Sequence, residues 1–295
     1  MKTENATAED LKEIVKQKYG QIADQSYTEN ATSCCGAGCG CSTTDYVVMA
    51  DDYSNLKGYV AEADLGLGCG LPTEFALIKE GDTVIDLGSG AGNDAFVARS
   101  ITGEKGKVIG VDITEKMIAK ARANAEKLGY NNVEFRLGDI ERLPVTSSVA
   151  DVVVSNCVLN LVPDKEKAFA ETFRVLKPGG HFSVSDIVLR GELPEGLRKS
   201  AEMYAGCVAG AIFKKDYLHI IEKTGFTNIK IQKEKRITIP DEIAAAYLSN
   251  EEFIRFKSGE SGIYSITVYA EKPGLTEQEK ENLKAACCGT DSTCC

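Results

Sequence analysis

Between residues 83 and 189 the chain alternates short apolar runs with helical segments, and this alternation constrains its fold more than any other feature. The runs are TVIDL (83–87), KVIGVD (107–112), VEFRLGD (133–139), ADVVVSN (150–156) and HFSVSDIVL (181–189). Near-continuous apolar runs of this length read as strands buried on both faces. Their alternation with helices predicts a mostly parallel, doubly wound sheet, because right-handed crossovers leave few other topologies. The helices between them carry their own marks. In TEKMIAKARANAEKLG, Met117, Ala121, Ala125 and Leu128 fall on one stripe and Gly129 supplies the stop. In PDKEKAFAETFRVLKPGG, Asp164 is positioned to cap, Phe169, Phe173 and Leu176 form the stripe, and Pro178 with Gly179 end the helix.

The flanks are organised differently. TAEDLKEIVKQKYGQIA sets Leu11, Ile14, Val15, Lys18 and Ile22 on one side of a helix, with Thr7 and Asp10 as a capping box. Residues 25–45, rich in Ser, Thr, Asn and Cys, show no period and read as a loop. Beyond 190, PEGLRKSAEMYAGCVAGAIF and KKDYLHIIEKTGF read as helices, the second ending at Gly225, while TNIKIQKEK and IYSITVYAEK alternate like strands of an antiparallel edge. The expected division is an N-terminal helix with a Cys-rich loop (1–69), a cofactor-binding sheet domain (70–190), an α+β substrate cover (191–272) and a Cys-rich tail (273–295).

At 295 residues and 43% hydrophobic content the chain can bury a full core without disulfides. A net charge of -10 without a basic cluster argues against nucleic acid or an anionic membrane as partner and leaves a small molecule as the default. Residues 1–30 carry acids and amides where a secretory signal has a basic start and an apolar stretch. No run approaches the roughly 18 apolar residues of a membrane span, so the expected location is cytoplasmic. The cysteines then become informative. Eight of eleven lie in SCCGAGCGC (33–41) and CCGTDSTCC (287–295). In a reducing compartment such clusters are metal-binding or catalytic more often than structural, and an odd count cannot pair completely. Structural zinc favours four ligands, often in C-x-x-C pairs, and no C-x-x-C occurs.

The first strand runs straight into DLGSGAGNDAFVA. Gly88, Gly90 and Gly92 permit a tight strand-to-helix turn and close approach of a ligand at the crevice above the strand ends. The dinucleotide fingerprint G-x-G-x-x-G requires its third small residue at 93, where this chain has Asn93, so the spacing tilts away from NAD. Asp112, twenty residues past Gly92, stands where a carboxylate accepts hydrogen bonds from ribose hydroxyls, and Asp139 ends the next strand on the same rim.

These segments resemble the class I S-adenosylmethionine-dependent methyltransferases over about residues 70–235: VIDLGSGAGND their first motif, GVDITEKMIAKAR the second, GDIERLP the third and VLKPGGHFSVSD the approach to the fifth strand. The resemblance implies a Rossmann-like domain binding S-adenosylmethionine. Asp86 and the loop from Gly88 through Gly90 to Gly92 would hold the methionine end, Asp112 with Ile113 the ribose, and Asp139 with Ile140 the adenine, with Asn156 also at the cofactor.

What is methylated follows from the solitary thiols. His181, in a predicted strand, and His219, on a predicted helix, read as packed or surface residues rather than general bases, and an acceptor already carrying a lone pair would need no base. Cys69 precedes the first strand, Cys157 follows the fourth and Cys207 lies in the cover. Each alone reads as readily as a small buried apolar residue; three near a methyl donor suggest a thiophilic substrate. LGLGCGLP, SNCVLNLVPDKEKAFAETFRVLKPGG and YAGCVAGA resemble the cysteine-bearing segments of the arsenite methyltransferases, as does the N-terminal CCG. That resemblance implies As(III) bound by Cys69, Cys157 and Cys207, with Cys34 or Cys35 as a further catalytic thiol. It implies arsenite or its thiol adducts as substrate, a Cys69–Cys157 disulfide formed during turnover, and thioredoxin or a small thiol as reductant. The thiol clusters would then capture arsenite and pass it inward. Two other readings stay open: a carbon or oxygen methyltransferase of the quinone-biosynthesis type, and a non-catalytic thiol-based metal-binding protein.

Overall fold

The structure, a computed structural model, describes residues 7–25, 51–192, 208, 210–237, 248–258, 261–279 and 281. Seven strands form one sheet: β1 (Thr83–Leu87), β2 (Lys107–Asp112), β3 (Val133–Leu137), β4 (Ala150–Asn156), β5 (Leu176–Arg190), β6 (Thr227–Arg236) and β7 (Gly262–Glu271), in the order β3-β2-β1-β4-β5-β7-β6. The first five pair in parallel, and β7 runs antiparallel to both β5 and β6. This is the mostly parallel, doubly wound α/β architecture expected, with the antiparallel edge where TNIKIQKEK and IYSITVYAEK placed it. Strands β6 and β7 continue the cofactor sheet, so the region after 190 is tied to it by a full ladder from His181–Glu271 to Arg190–Gly262.

The core is divided by the sheet. On one face Ile85, Leu87, Val153 and Phe182 pack with Phe169 and Tyr217; on the other Val84, Val108 and Val154 pack with Phe96, Met117 and Ala121. Valine, isoleucine and phenylalanine buried on both faces of β1 and β4 are why these strands read as continuous apolar runs. The helix Glu115–Lys127 buries Met117, Ile118, Ala121 and Ala125. Leu128 departs from the expected stripe: it is the C-cap beyond the last helical residue and is 36% exposed, with the left-handed Gly129 (φ 68°) turning the chain directly after it. The helix Lys165–Val175 is capped by Asp164, whose side chain accepts from the Lys167 N–H.

Two boundaries differ from expectation. Strand β5 starts at Leu176, not 181, so Leu176 belongs to the strand and not to the helical stripe. The helix has already ended at Val175, and Pro178 and Gly179, expected to stop it, lie inside the strand instead. The register slips between Ala150 and Val152, and Gly179 (φ 82°) donates to the carbonyl of Lys272. A bulge of this kind has no signature that distinguishes it from a turn. Strand β3 closes at Leu137, since Gly138 already donates back to the Asp112 carbonyl across the strand ends.

The helix Ala8–Ala23 has the expected capping box, Thr7 accepting from the Asp10 N–H while Asp10 accepts from the Thr7 N–H. It packs against the helix Glu115–Lys127, and Lys12 bridges Asp139 at 2.7 Å and Glu141 at 2.6 Å. His181 is in β5, its Nε2 2.6 Å from the Ala76 carbonyl, and His219 is exposed on the helix Lys214–Lys223. Neither lines the cavity described below. No helix among the described residues is long and apolar enough to cross a membrane.

Candidate active site

A cavity of about 420 Å³ opens above the carboxyl ends of β1, β2 and β4. This is the switch point of a doubly wound sheet, where strand order reverses and the flanking loops diverge. Its floor is the turn after β1. Gly88 (φ 66°) and Gly90 (φ 50°) take left-handed conformations there. A β-carbon on Gly88 would collide with Val158, whereas one on Gly90 would meet nothing within 4 Å, so the space beside Gly90 belongs to the cavity. Gly92 is different. It does not line the cavity; a β-carbon there would stand 2.8 Å from Phe96 and 2.9 Å from Phe135, so this glycine serves the packing of the helix Asn93–Thr102 against the sheet.

Of the expected cofactor residues, Asp86, Gly88, Gly90, Asp112, Ile113, Asp139, Ile140 and Asn156 all line the cavity. Asp112 accepts from the N–H groups of Gly90 (3.0 Å) and Thr114 (2.8 Å), which fixes its carboxylate beside the turn. Asp139 accepts from the Glu141 N–H and is paired with Lys12. Burial works against the charge of Lys12, but the two carboxylates outweigh it and hold its ammonium above the ordinary value. Lys12, Val15 and Tyr19 also line the cavity, so the N-terminal helix forms one of its walls.

The floor is strongly acidic. Asp86 is buried, and desolvation together with the charges of Asp94 and Asp112 pushes its carboxyl far above the usual range. Burial raises Asp94 to about 6 and also raises Asp112. The Asp86 Oδ2, Ser89 Oγ and Asn93 Oδ1 atoms are buried without a hydrogen-bond partner. Three carboxylates that repel one another, with orphaned acceptors beside them, form a site that a cationic ligand with hydrogen-bond donors would complete. A methyl sulfonium bearing an amino-acid chain and a 5′-deoxyadenosyl group has that chemistry. It carries two cations, a sulfonium and an ammonium, and a ribose diol that donates hydrogen bonds.

The thiols stand at the edge of this cavity. Cys157 lines it, directly after Asn156 at the end of β4, with left-handed backbone (φ 59°) that is uncommon for a residue with a side chain. Its N–H donates to the Ser185 carbonyl at 2.8 Å, which locks the turn. Cys69 and Cys157, 88 residues apart in sequence, form a disulfide with their Cα atoms 5.8 Å apart. Both are buried, among Ile187, Leu189, Ala211 and Ile263. Val208 packs in the same cluster; Cys207 before it, like Cys34 and Cys35, lies outside the described residues. The segment carrying Cys69 is held tightly. Its N–H donates to Asn156 Oδ1 at 3.0 Å and its carbonyl accepts from Ser265 at 2.6 Å. A β-carbon on Gly68 or Gly70 would press on Asn156 (2.6 Å) or Ser185 (2.5 Å). Among the described residues no cluster of three or more His, Cys, Asp or Glu side chains is arranged to hold a metal ion.

Tyr53, Asp94, Ser89, Asn93 and Lys12 escaped the sequence reading. Asp94 had a signal, an acid in the first turn of the helix that opens on the glycine loop. Tyr53 had none, since its partners lie 17, 41 and 103 residues away.

Residues 78–225 match the family model described as a methyltransferase domain. A curated arsenite methyltransferase from Halobacterium salinarum is 40% identical over 243 residues, covering 78% of this chain and 61% of that protein. The human arsenite methyltransferase is 32% identical over 287 residues, covering 92% of this chain and 74% of its own length. The chain thus spans about three fifths to three quarters of these relatives. Among solved structures, an arsenic(III) S-adenosylmethionine methyltransferase from Chlamydomonas reinhardtii superposes with a TM-score of 0.59 at 36% identity, over 77% of this chain and 74% of that one.

Proposed function

The chain belongs to the arsenite methyltransferases, enzymes that use S-adenosylmethionine, and from that premise we propose that it methylates trivalent arsenic held by Cys69, Cys157 and Cys207. The observation that carries the reading is the meeting of Cys69 with Cys157 at the rim of the acidic cavity. Buried thiols able to reach one another at that point make a site for a soft, thiophilic atom beside a methyl donor.

In this reading Asp86 and the turn from Gly88 to Gly90 hold the methionine end of the cofactor, Asp112 and Ile113 the ribose, Asp139 and Ile140 the adenine. When bound, the cofactor supplies an electrophilic methyl group on a sulfonium. The protein's own part is positioning and exclusion. Asn156 fixes the backbone on which both cysteines sit, accepting from the Cys69 N–H and preceding Cys157. The apolar surround of Ile187, Leu189 and Ile263 keeps water from the thiolates. As(III) bound by thiolates is pyramidal and keeps its lone pair, so the acceptor requires no general base. Proximity to the methyl carbon supplies most of the acceleration. Methylation oxidises arsenic to the pentavalent state. Two thiolates, Cys69 and Cys157, return two electrons to it and leave as the disulfide, which thioredoxin or a small thiol then reopens. The role is detoxification, with arsenite or its thiol adducts as the substrate taken up.

The quinone-methyltransferase reading leaves this thiol pair without a task, and the metal-binding reading leaves the acidic cavity without one. Protection mapping tests the assignment. Reduced protein incubated with one equivalent of arsenite and then alkylated should show Cys69, Cys157 and Cys207 protected together, read by peptide mass spectrometry. Full alkylation of Cys157 in the presence of bound arsenite would sink the assignment.

A further inference from the structure

Tyr53 stands where the cofactor cavity meets the thiols. Its ring is buried with Leu71 and Val97, and its hydroxyl lies 2.9 and 3.0 Å from the two carboxylate oxygens of Asp94 and 3.1 Å from the Gly70 carbonyl. It also accepts a hydrogen bond from Asn156 Nδ2. Asp94 lines the cavity, Gly70 follows Cys69, and Asn156 precedes Cys157. One hydroxyl therefore touches the cofactor side and both cysteine-bearing segments.

A phenol has a single proton to donate. When Asp94 is ionised, its charge draws that proton, and the Gly70 carbonyl is held by Asn156 Nδ2 at 2.8 Å. When Asp94 is protonated, the acid becomes the donor to the phenol oxygen. The Tyr53 proton then turns to the Gly70 carbonyl, which takes it on its second lone pair beside the bond from Asn156. The two arrangements differ at the peptide beside Cys69, in a segment with no room to spare, since a β-carbon at Gly68 or Gly70 would press on Asn156 or Ser185.

We propose that Tyr53 is a positioning residue for methyl transfer: it relays the charge state of Asp94, and with it the state of the cofactor cavity, to the backbone that sets Cys69 and Cys157. The inference rests on those two cysteines being arsenic ligands. The groups facing Asp94 are Tyr53 and Asp64 from the segment before β1, Thr73 from the helix Pro72–Phe75, Asp86 from β1 and Asn156 from β4. None of these is a cation, so the positive charge of the methyl donor is what favours the ionised, working arrangement. Burial raises the Asp94 carboxyl, and the hydrogen bonds from Asn156, Tyr53 and Thr73 pull it back down. Removing the Tyr53 hydroxyl therefore makes Asp94 harder to ionise.

The test is single-turnover methyl transfer to arsenite by fully reduced protein, at methyl-donor concentrations well below its dissociation constant, so that the pH profile reports the donor-free protein. In the wild type the rate falls as pH drops through about 6. In Tyr53→Phe the fall begins at higher pH and the plateau rate drops at least about tenfold, while S-adenosylhomocysteine still binds within about twofold of wild type at the plateau pH. A profile unmoved in Tyr53→Phe, or a wild type with no acid limb near 6, overturns the inference. Where Tyr53→Phe fails to fold, Thr73→Val removes another donor to Asp94 and must move the limb upward; an unmoved limb counts against the relay. A wild type that transfers no methyl to arsenic at any pH refutes the arsenic-ligand reading instead, a separate outcome.

Discussion

Replacing Cys157 by serine is expected to lower arsenic methylation at least about a hundredfold, a loss of about 3 kcal/mol or more of transition-state stabilisation, while S-adenosylmethionine affinity stays within about twofold. The asymmetry follows from where Cys157 sits. It shares the cavity rim with Asn156 but lies on the thiol side, buried with Ile187 and Ile263. Serine keeps the β-carbon and therefore the same left-handed backbone, and the bond from its N–H to the Ser185 carbonyl is a main-chain contact that survives. What changes is the ligand atom. A hydroxyl is a hard, protonated donor with little affinity for trivalent arsenic, whereas a thiolate binds it strongly. Cys157→Ala, which introduces no hydroxyl, is the matching control and should lose the same activity. A quinone-type methyltransferase would retain most of its rate in both variants, measured as methyl transfer from labelled donor.

The second large effect concerns the cavity floor and has two opposite signs. Asp86→Asn is expected to weaken S-adenosylmethionine binding by about thirtyfold or more, as expected when a buried charge loses its counter-charge. The same change should stabilise the cofactor-free protein near neutral pH. Asp86, Asp94 and Asp112 all bind protons more tightly in the folded state than in the unfolded chain, because burial disfavours their charged forms. Their contribution is therefore fully present below the unfolded carboxylate range and is lost as pH rises through the folded values, of which Asp94 at about 6 is one. Cofactor-free protein should thus lose stability as pH rises from about 4 to beyond 6. Asp86→Asn should flatten that slope, and saturating S-adenosylmethionine should restore stability in the wild type far more than in the variant. Thermal melts across pH, with and without cofactor, read both signs. An Asp86→Asn protein that binds cofactor as tightly as wild type would contradict the electrostatic role given to the floor.

The strands were legible because burial on both faces leaves a run of Val, Ile and Leu that no exposed segment needs, as in TVIDL and ADVVVSN. The cofactor loop was legible because Gly88 and Gly90 must be glycine for two reasons visible in sequence, a strand-to-helix turn and room for a ligand. Gly92 shows the limit of that argument. It has the same spacing and the same positive φ, yet it faces Phe96 and Phe135 rather than the cavity. The start of β5 at Leu176 was hidden because Pro178 and Gly179 carry identical local signals whether they end an element or bulge within one. Tyr53 and the wall residue Lys12 were hidden for a different reason. Their partners lie far away in the chain, Lys12 with Glu141 across 129 residues, and no periodicity encodes a pairing of that range. The meeting of Cys69 with Cys157 belongs to the same class: composition flagged the thiols, the resemblance supplied the pairing, and only the folded chain brings the two within disulfide distance.

The central claim is that the acidic cavity presents a methyl group to arsenic held on these thiols. It is tested most directly by one turnover of fully reduced protein with arsenite and methyl-labelled S-adenosylmethionine, quenched and separated by chromatography with detection of both arsenic and label. The account predicts label co-eluting with arsenic as a methylated arsenical, in proportion to protein, with Cys69 and Cys157 recovered as a disulfide when no further reductant is supplied. Label that never joins arsenic while both ligands are bound, or that appears on arsenic with both thiols still free in the absence of reductant, would contradict it.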